Sequence, residues 1–301
     1  MTGEFMAQTR SSRSQAGMYV LFVFLYSSIF YFLILRAHTL GAGAGLYVTG
    51  IMWCPALAAF TTLLFNRRSL ADLGWKWPAR KYALMSWYVP LIYAGISYAI
   101  VWISGLGGFP NHEFMQSLVG RMGERLPPAA STVLYVILTG SFGLIGSLSR
   151  ALGEEIGWRG FLVPELTKST SFTTTALVSG IVWACWHYPG LIWSDYNSGT
   201  PSWYGLTCFT IMVVAIAIIF AWLRLKSGSL WTGAILHASH NLYVQAIFTP
   251  LTENRGKTAW YIDEFGAVLP IVAVGFAIYF WRRRGELKTI VQSQAESTVA
   301  A

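Results

Sequence analysis

Charge is what this sequence has least of. Asp, Glu, Lys and Arg make up 11% of its 301 residues, under half of the roughly 25% usual in soluble domains. So few charges cannot cover a water-soluble globule of this length, so no soluble enzyme or binding domain is expected. Cysteine is scarce too: Cys54, Cys185 and Cys208 stand singly in apolar stretches. Without a C-x-x-C pair they read as buried thiols rather than metal ligands or disulfides. The compact helical zinc string H-E-x-x-H is missing, and no repeat of solenoid period recurs. The first apolar run lacks a small-residue cleavage site before the next polar stretch, so no secretory signal peptide is expected.

What is abundant is apolar and aromatic surface. Apolar residues reach 54% of the chain, and 14 Trp, 15 Tyr and 18 Phe suit aromatic belts at two membrane interfaces. Eight apolar stretches approach the roughly 20 residues needed to cross a bilayer. They cover about 18–35, 45–65, 83–104, 131–152, 174–193, 206–223, 230–249 and 264–281. Between positions 105 and 130, Phe114, Met115, Leu118, Val119 and Met122 recur at helical spacing. That segment reads as an amphipathic helix on the membrane surface.

The net charge of +8 invites a nucleic-acid partner, but the basic residues form no patch, and none is expected. Sixteen Lys and Arg fall in the N-terminus, the second, fourth and sixth loops and the C-terminus; five fall in the other loops. This alternation predicts both termini in the cytoplasm, with an even number of spans between them. The expected fold is an all-α polytopic integral membrane protein, with about eight transmembrane helices surrounding an intramembrane cavity. A polar tail at 1–17 precedes a single helical domain at 18–284, and a second polar tail occupies 285–301.

Three strings put ionisable or hydrogen-bonding groups into this apolar frame: Glu154-Glu155-x-x-x-Arg159, Trp183-x-x-x-His187 and His237-x-x-x-Asn241. A charge at bilayer depth costs roughly 2.5–3.5 kcal/mol even on lenient scales, so such residues mark a site by default. Glu155 and Arg159 share a helix face with the acid N-terminal, the favoured order for an ion pair. Glu154 points about 100° away. One carboxylate is thus expected to be held by Arg159 and the other left free for chemistry. Trp183 lies one turn before His187 on the same face, and Pro189 is expected to disturb that helix soon after. His237 and Asn241 project from one face of the seventh span, and His240 on an adjoining face reads as a supporting partner. Three of the five histidines fall in these two strings. Glu, His and His/Asn on three spans form a constellation of acid/base and oxyanion-donor type.

The ordered trio resembles the signature of the CPBP superfamily of intramembrane proteases, which includes type II CAAX prenyl endopeptidases and the bacterial Abi proteins. The resemblance covers residues 153–241, under a third of the chain. It implies Glu154, His187, His237 and Asn241 as catalytic residues. Glu154 would deprotonate water, His187 would orient it, and His237 and Asn241 would donate to the oxyanion. Glu155 and Arg159 would hold the helix and the catalytic carboxylate, with Trp183 standing where Phe is usual and altering packing rather than chemistry. The implied partners are the lipid bilayer and a membrane-associated peptide or prenylated protein, in a prokaryotic cell membrane; oligomeric state is not readable. No cofactor is favoured. A zinc ion would take Glu154, His187 and His237, and Asn is a poor further ligand. Two other classes fit the hydropathy: a non-enzymatic immunity or scaffold protein on the same fold, and a proton-coupled transporter, though no inverted repeat is visible. Straight spans would put His187 nearer the outer face than Glu154, so the fourth and fifth helices are expected to be tilted, displaced or broken.

Overall fold

The computed structural model describes residues 2–121, 125–197 and 199–287. Most of them are helical, and no strand is present among the described residues. The elements are α1 (Thr2–Ala37), α2 (Leu46–Phe65), α3 (Arg80–Ile103), α4 (His112–Arg121), α5 (Pro128–Thr167), α6 (Phe172–Trp193), α7 (Ser202–Ser227), α8 (231–251) and α9 (Val268–Arg282). Five are long and apolar enough to cross a membrane: α1 from Ser11, α2 with the turn before it, α3, α5 and α7. The α9 helix is apolar but shorter. Each of the eight apolar stretches forms a helix, while the count of eight crossings stays an expectation.

Local chemistry sets the helix ends. α5 opens on Pro128, where a missing N–H costs nothing. At the start of α6, the Ser171 hydroxyl accepts from the Thr174 N–H at 3.2 Å. α7 stops at Gly228, whose φ of 70° suits a left-handed cap. Pro189 lies inside its helix, and α6 runs one turn further, to Trp193. Proline is tolerated in membrane helices because neighbouring groups re-satisfy the freed backbone. The stretch expected as a polar tail at 1–17 is helical from Thr2 and runs into the first span. Residues 288–301 of the expected C-terminal tail lie outside the described residues.

The largest departure concerns the fourth span. The apolar stretch 131–152 and the amphipathic continuation that carries the first string form one helix of 40 residues, from Pro128 to Thr167. Two π-helical segments interrupt it, Thr139–Gly143 and Ile156–Leu162. A third, Leu242–Phe248, interrupts α8. In the second, the Val163 N–H reaches back five residues to the Trp158 carbonyl, the bonding that defines a π turn.

Alternate connections gather at opposite ends of the bundle. At one end Arg13 donates to the Ser169 carbonyl (3.5 Å), Arg68 pairs with Glu165 (2.8 Å), Arg224 donates to Leu73 O (3.5 Å), and Lys226 pairs with Glu286 (3.5 Å). At the other, Thr39 donates to Asp195 (2.7 Å), Gly108 and Glu253 exchange backbone bonds, and Tyr204 donates to the Trp260 carbonyl (2.6 Å). The first end collects the Lys/Arg-rich segments. The amphipathic segment forms α4, which packs on the bundle. Phe114 meets Tyr135 edge-on at 5.4 Å and Leu118 is buried; Met122 lies outside the described residues. α7 is the most buried of the long helices, and Trp158, Trp186 and Trp222 fill the interior around it.

Candidate active site

The walls of α2, α5, α6, α7 and α8 enclose a cavity of about 500 Å³. Glu154, Trp183, His187, His237 and Asn241 all line it, so residues from three helices, α5, α6 and α8, meet in one space. Glu154 lies 13 residues before the end of α5, and His187 lies 15 residues after the start of α6. At about 1.5 Å per residue both are about 20 Å from the turn that joins the two helices. The mismatch in depth expected for His187 came from ending the fourth span too early; extending α5 to Thr167 removes it.

The two adjacent acids divide as their angular separation requires. Glu155 is fully buried and its Oε1 accepts from Arg159 Nη1 at 2.6 Å and from His237 Nδ1 at 3.0 Å. Its Oε2 has no hydrogen-bond partner. The Arg159 guanidinium lies 4.1 Å from the Trp183 ring centre and 3.8 Å from that of Phe220, a cation between two aromatic faces. Its backbone carbonyl accepts from Arg224 Nε at 2.7 Å. This ion pair is therefore held by His237, two aromatic rings and Arg224.

Glu154 has a different environment. Trp183 Nε1 donates to its Oε2 at 2.9 Å and Trp158 Nε1 at 3.4 Å. No bond falls on Oε1 among the described residues. Trp183 was expected to differ from Phe in packing alone, yet its indole N–H holds the free carboxylate, which a phenyl ring could not do. The same residue's carbonyl lies 2.9 Å from His187 Nδ1. A carbonyl only accepts, so Nδ1 carries the hydrogen and Nε2 is the bare nitrogen. His237 donates to the Glu155 carboxylate through Nδ1, and its Nε2 has no protein partner among the described residues. Asn241, partly buried, makes no side-chain bond among the described residues.

Close packing depends on two glycines. A Cβ on Gly233 would fall 2.5 Å from Glu155 Oε2, and one on Gly153 would fall 2.7 Å from the Met52 carbonyl. The first lets α8 touch the ion pair; the second lets α5 touch α2. Among the described residues, no group of three or more His, Cys, Asp and Glu comes together to hold a metal ion. All three cysteines are free, with Cys54 and Cys208 buried.

The reading of the sequence missed Glu264, Tyr93 and Tyr196. Glu264 is 4% exposed and lines the cavity, bonded to His240 Nε2 (2.9 Å) and Tyr196 (3.1 Å), while Tyr93 meets His240 Nδ1 at 2.6 Å. An acid at the first position of an apolar stretch was the available signal. It reads as an interface residue when the span is assumed to begin there.

Residues 129–243, which include all three strings, match the family model described as Type II CAAX prenyl endopeptidase Rce1-like. The chain is also similar to CAAX prenyl protease 2 of Methanococcus maripaludis, 33% identical over 100 residues. That stretch is 32% of this chain and 36% of the relative, so the likeness spans about a third of each.

Proposed function

We propose, from the type II CAAX prenyl endopeptidase match that frames all three strings, that this chain is an intramembrane endopeptidase of that type. The observation that carries the reading is the division between the two acids: Glu155 is held by Arg159 and His237 away from the cavity, while Glu154 lines it. Glu154 takes a proton from a water molecule, and the hydroxide adds to the scissile carbonyl carbon. The bare Nε2 of His187 accepts from that water and aligns it. Asn241 donates its amide N–H to the developing oxyanion. His237 donates from Nε2 as an imidazolium whose charge faces the Glu155 carboxylate. Such a donor in a preorganised site is worth about 2.7–4 kcal/mol. The proton held by Glu154 then passes to the departing amine as the C–N bond breaks.

The substrate is a membrane-associated peptide, with prenylated C-terminal peptides the first class to test. The end of the bundle that gathers the Lys/Arg-rich segments is assigned to the cytoplasm, and cleavage to that side. The test is cleavage of a fluorogenic prenylated CAAX peptide by detergent-purified protein. Wild type is compared with Glu154→Ala and His187→Ala, with and without a strong chelator. Activity lost in both variants and indifferent to chelation supports glutamate-based hydrolysis. Activity lost on chelation and restored by zinc makes it a metalloprotease. Variants that cleave like wild type refute the assignment.

A further inference from the structure

Glu264 belongs to none of the three strings, yet it lines the same cavity and is buried. Its Oε1 accepts from His240 Nε2 at 2.9 Å and its Oε2 accepts from the Tyr196 hydroxyl at 3.1 Å. With Nε2 donating, His240 Nδ1 accepts from the Tyr93 hydroxyl at 2.6 Å. Both nitrogens of His240 are therefore used, and this histidine has none left for substrate.

Each partner of Glu264 leads to a different wall of the site. The Tyr196 ring stacks on the His187 imidazole, with centroids 6.2 Å apart and planes at 30°. Phe209 packs edge-on against the same imidazole at 5.1 Å. His240 neighbours Asn241 in the chain and lies on the helix that carries His237. One carboxylate thus ties the aromatic plate lying against His187 to the helix that presents His237 and Asn241. His187 itself is fixed by a single hydrogen bond, to the Trp183 carbonyl. A base-aligning ring must be held to about 10–20° for catalysis, so the plate against it matters.

We infer that Glu264 is a positioning residue: through Tyr196 it orients the His187 imidazole, and through His240 it holds the helix from which His237 and Asn241 project. This rests on the catalytic reading proposed above. A buried carboxylate is a costly way to fill space, and both of its bonds end on groups that touch or flank the reacting set.

The experiment measures kcat, KM and melting temperature for Tyr196→Phe, Glu264→Ala, Glu264→Gln and the Glu264→Ala/Tyr196→Phe double variant, on the same fluorogenic peptide. Tyr196→Phe keeps the ring and removes only the hydroxyl. It should lower kcat about ten-fold, since small misplacements of catalytic groups are amplified in rate, with KM within about two-fold. The double variant should be no slower than Glu264→Ala alone, because both act along one path. Glu264→Gln keeps an acceptor oxygen and should recover part of the rate. If Glu264→Ala does not fold, the one-atom change at Tyr196 still decides. Wild-type kcat in Tyr196→Phe, or additive losses in the double variant, would overturn the inference. Glu154→Ala serves as the control: wild-type cleavage by that variant sinks the catalytic reading, whereas a dead Glu154→Ala beside a fully active Tyr196→Phe sinks this inference alone.

Discussion

Replacing Trp183 with phenylalanine removes one hydrogen bond and leaves nearly everything else that this residue does. The backbone carbonyl that fixes the His187 tautomer is untouched. A phenyl ring still lies beside the Arg159 guanidinium, whose distance to the indole centre is 4.1 Å. The weaker cation–π contact costs a few tenths of a kcal/mol, given a scale of about 0.5–2 kcal/mol for the whole interaction. What is lost is the 2.9 Å bond to Glu154 Oε2. Bonds to charged groups are worth about 1.5–3 kcal/mol, and Trp158 at 3.4 Å can tighten to recover part of it. The low end, about 1.5 kcal/mol, corresponds to about ten-fold in rate. The expected outcome is kcat down about ten-fold on the fluorogenic peptide, KM within about two-fold, and a correctly folded protein by size-exclusion chromatography. A kcat within two-fold of wild type would show that the indole N–H does not orient the carboxylate. Since phenylalanine is usual here in the resembling family, the measurement also reports what this chain has come to rely on by itself.

Three further outcomes follow from the geometry. Gly233→Ala drives a methyl to 2.5 Å from Glu155 Oε2 and 3.2 Å from Arg159 Cβ; overpacking of this kind costs about 1–3 kcal/mol and should appear as faster thermal inactivation. Arg159→Ala leaves Glu155 buried beside His237 alone, a loss of about 3–5 kcal/mol when one member of a buried pair is removed; little folded protein should survive detergent extraction. At the far end of the bundle, burial raises the Asp195 carboxyl, but hydrogen bonds from Thr39 Oγ1 and Leu40 N outweigh it and hold the group below its ordinary value. An acid depressed in the fold stabilises above its unfolded pKa of about 3.9 and loses that contribution as pH falls through the folded value. The melting-temperature gap between wild type and Asp195→Asn should therefore be present at neutral pH and close below about pH 4.

Much of this arrangement was legible because it obeys short-range periodicity. Glu155 and Arg159 pair across one turn, Glu154 points elsewhere, and His187 sits one turn beyond Trp183, all of which helical spacing states directly. The eight apolar stretches each became a helix, and the Lys/Arg alternation sorted the connections into the two groups that the fold gathers at its ends. What escaped depended on distance in sequence or on helix irregularity. The apolar window of the fourth span stops at residue 152, and the string that follows lies on its amphipathic continuation, whose length hydropathy does not set. The ion pair of that string is supported by His237, 82 residues away, and by two aromatic rings, which no local window contains. Glu264 escaped for the same reason, since its partners lie 24 and 68 residues from it. Trp183 was weighed as bulk, because only the position of Glu154 turns its N–H into a tether.

The π segments after Glu155 and Asn241 amount to phase shifters. Each holds one residue more per turn than an α-helix would, so everything after it is rotated by about one residue's arc relative to everything before it. In α5 the buried Val163 and Glu165 are thereby set in a different phase from the face that bears Glu154. Deleting a single residue from Ile156–Leu162 would restore an unbroken α-helix and swing Val163 and Glu165 out of their buried positions, though every cavity-lining residue were kept. A chain length at this point, rather than any side chain, is what keeps the cavity face and the buried end of α5 both pointing inward.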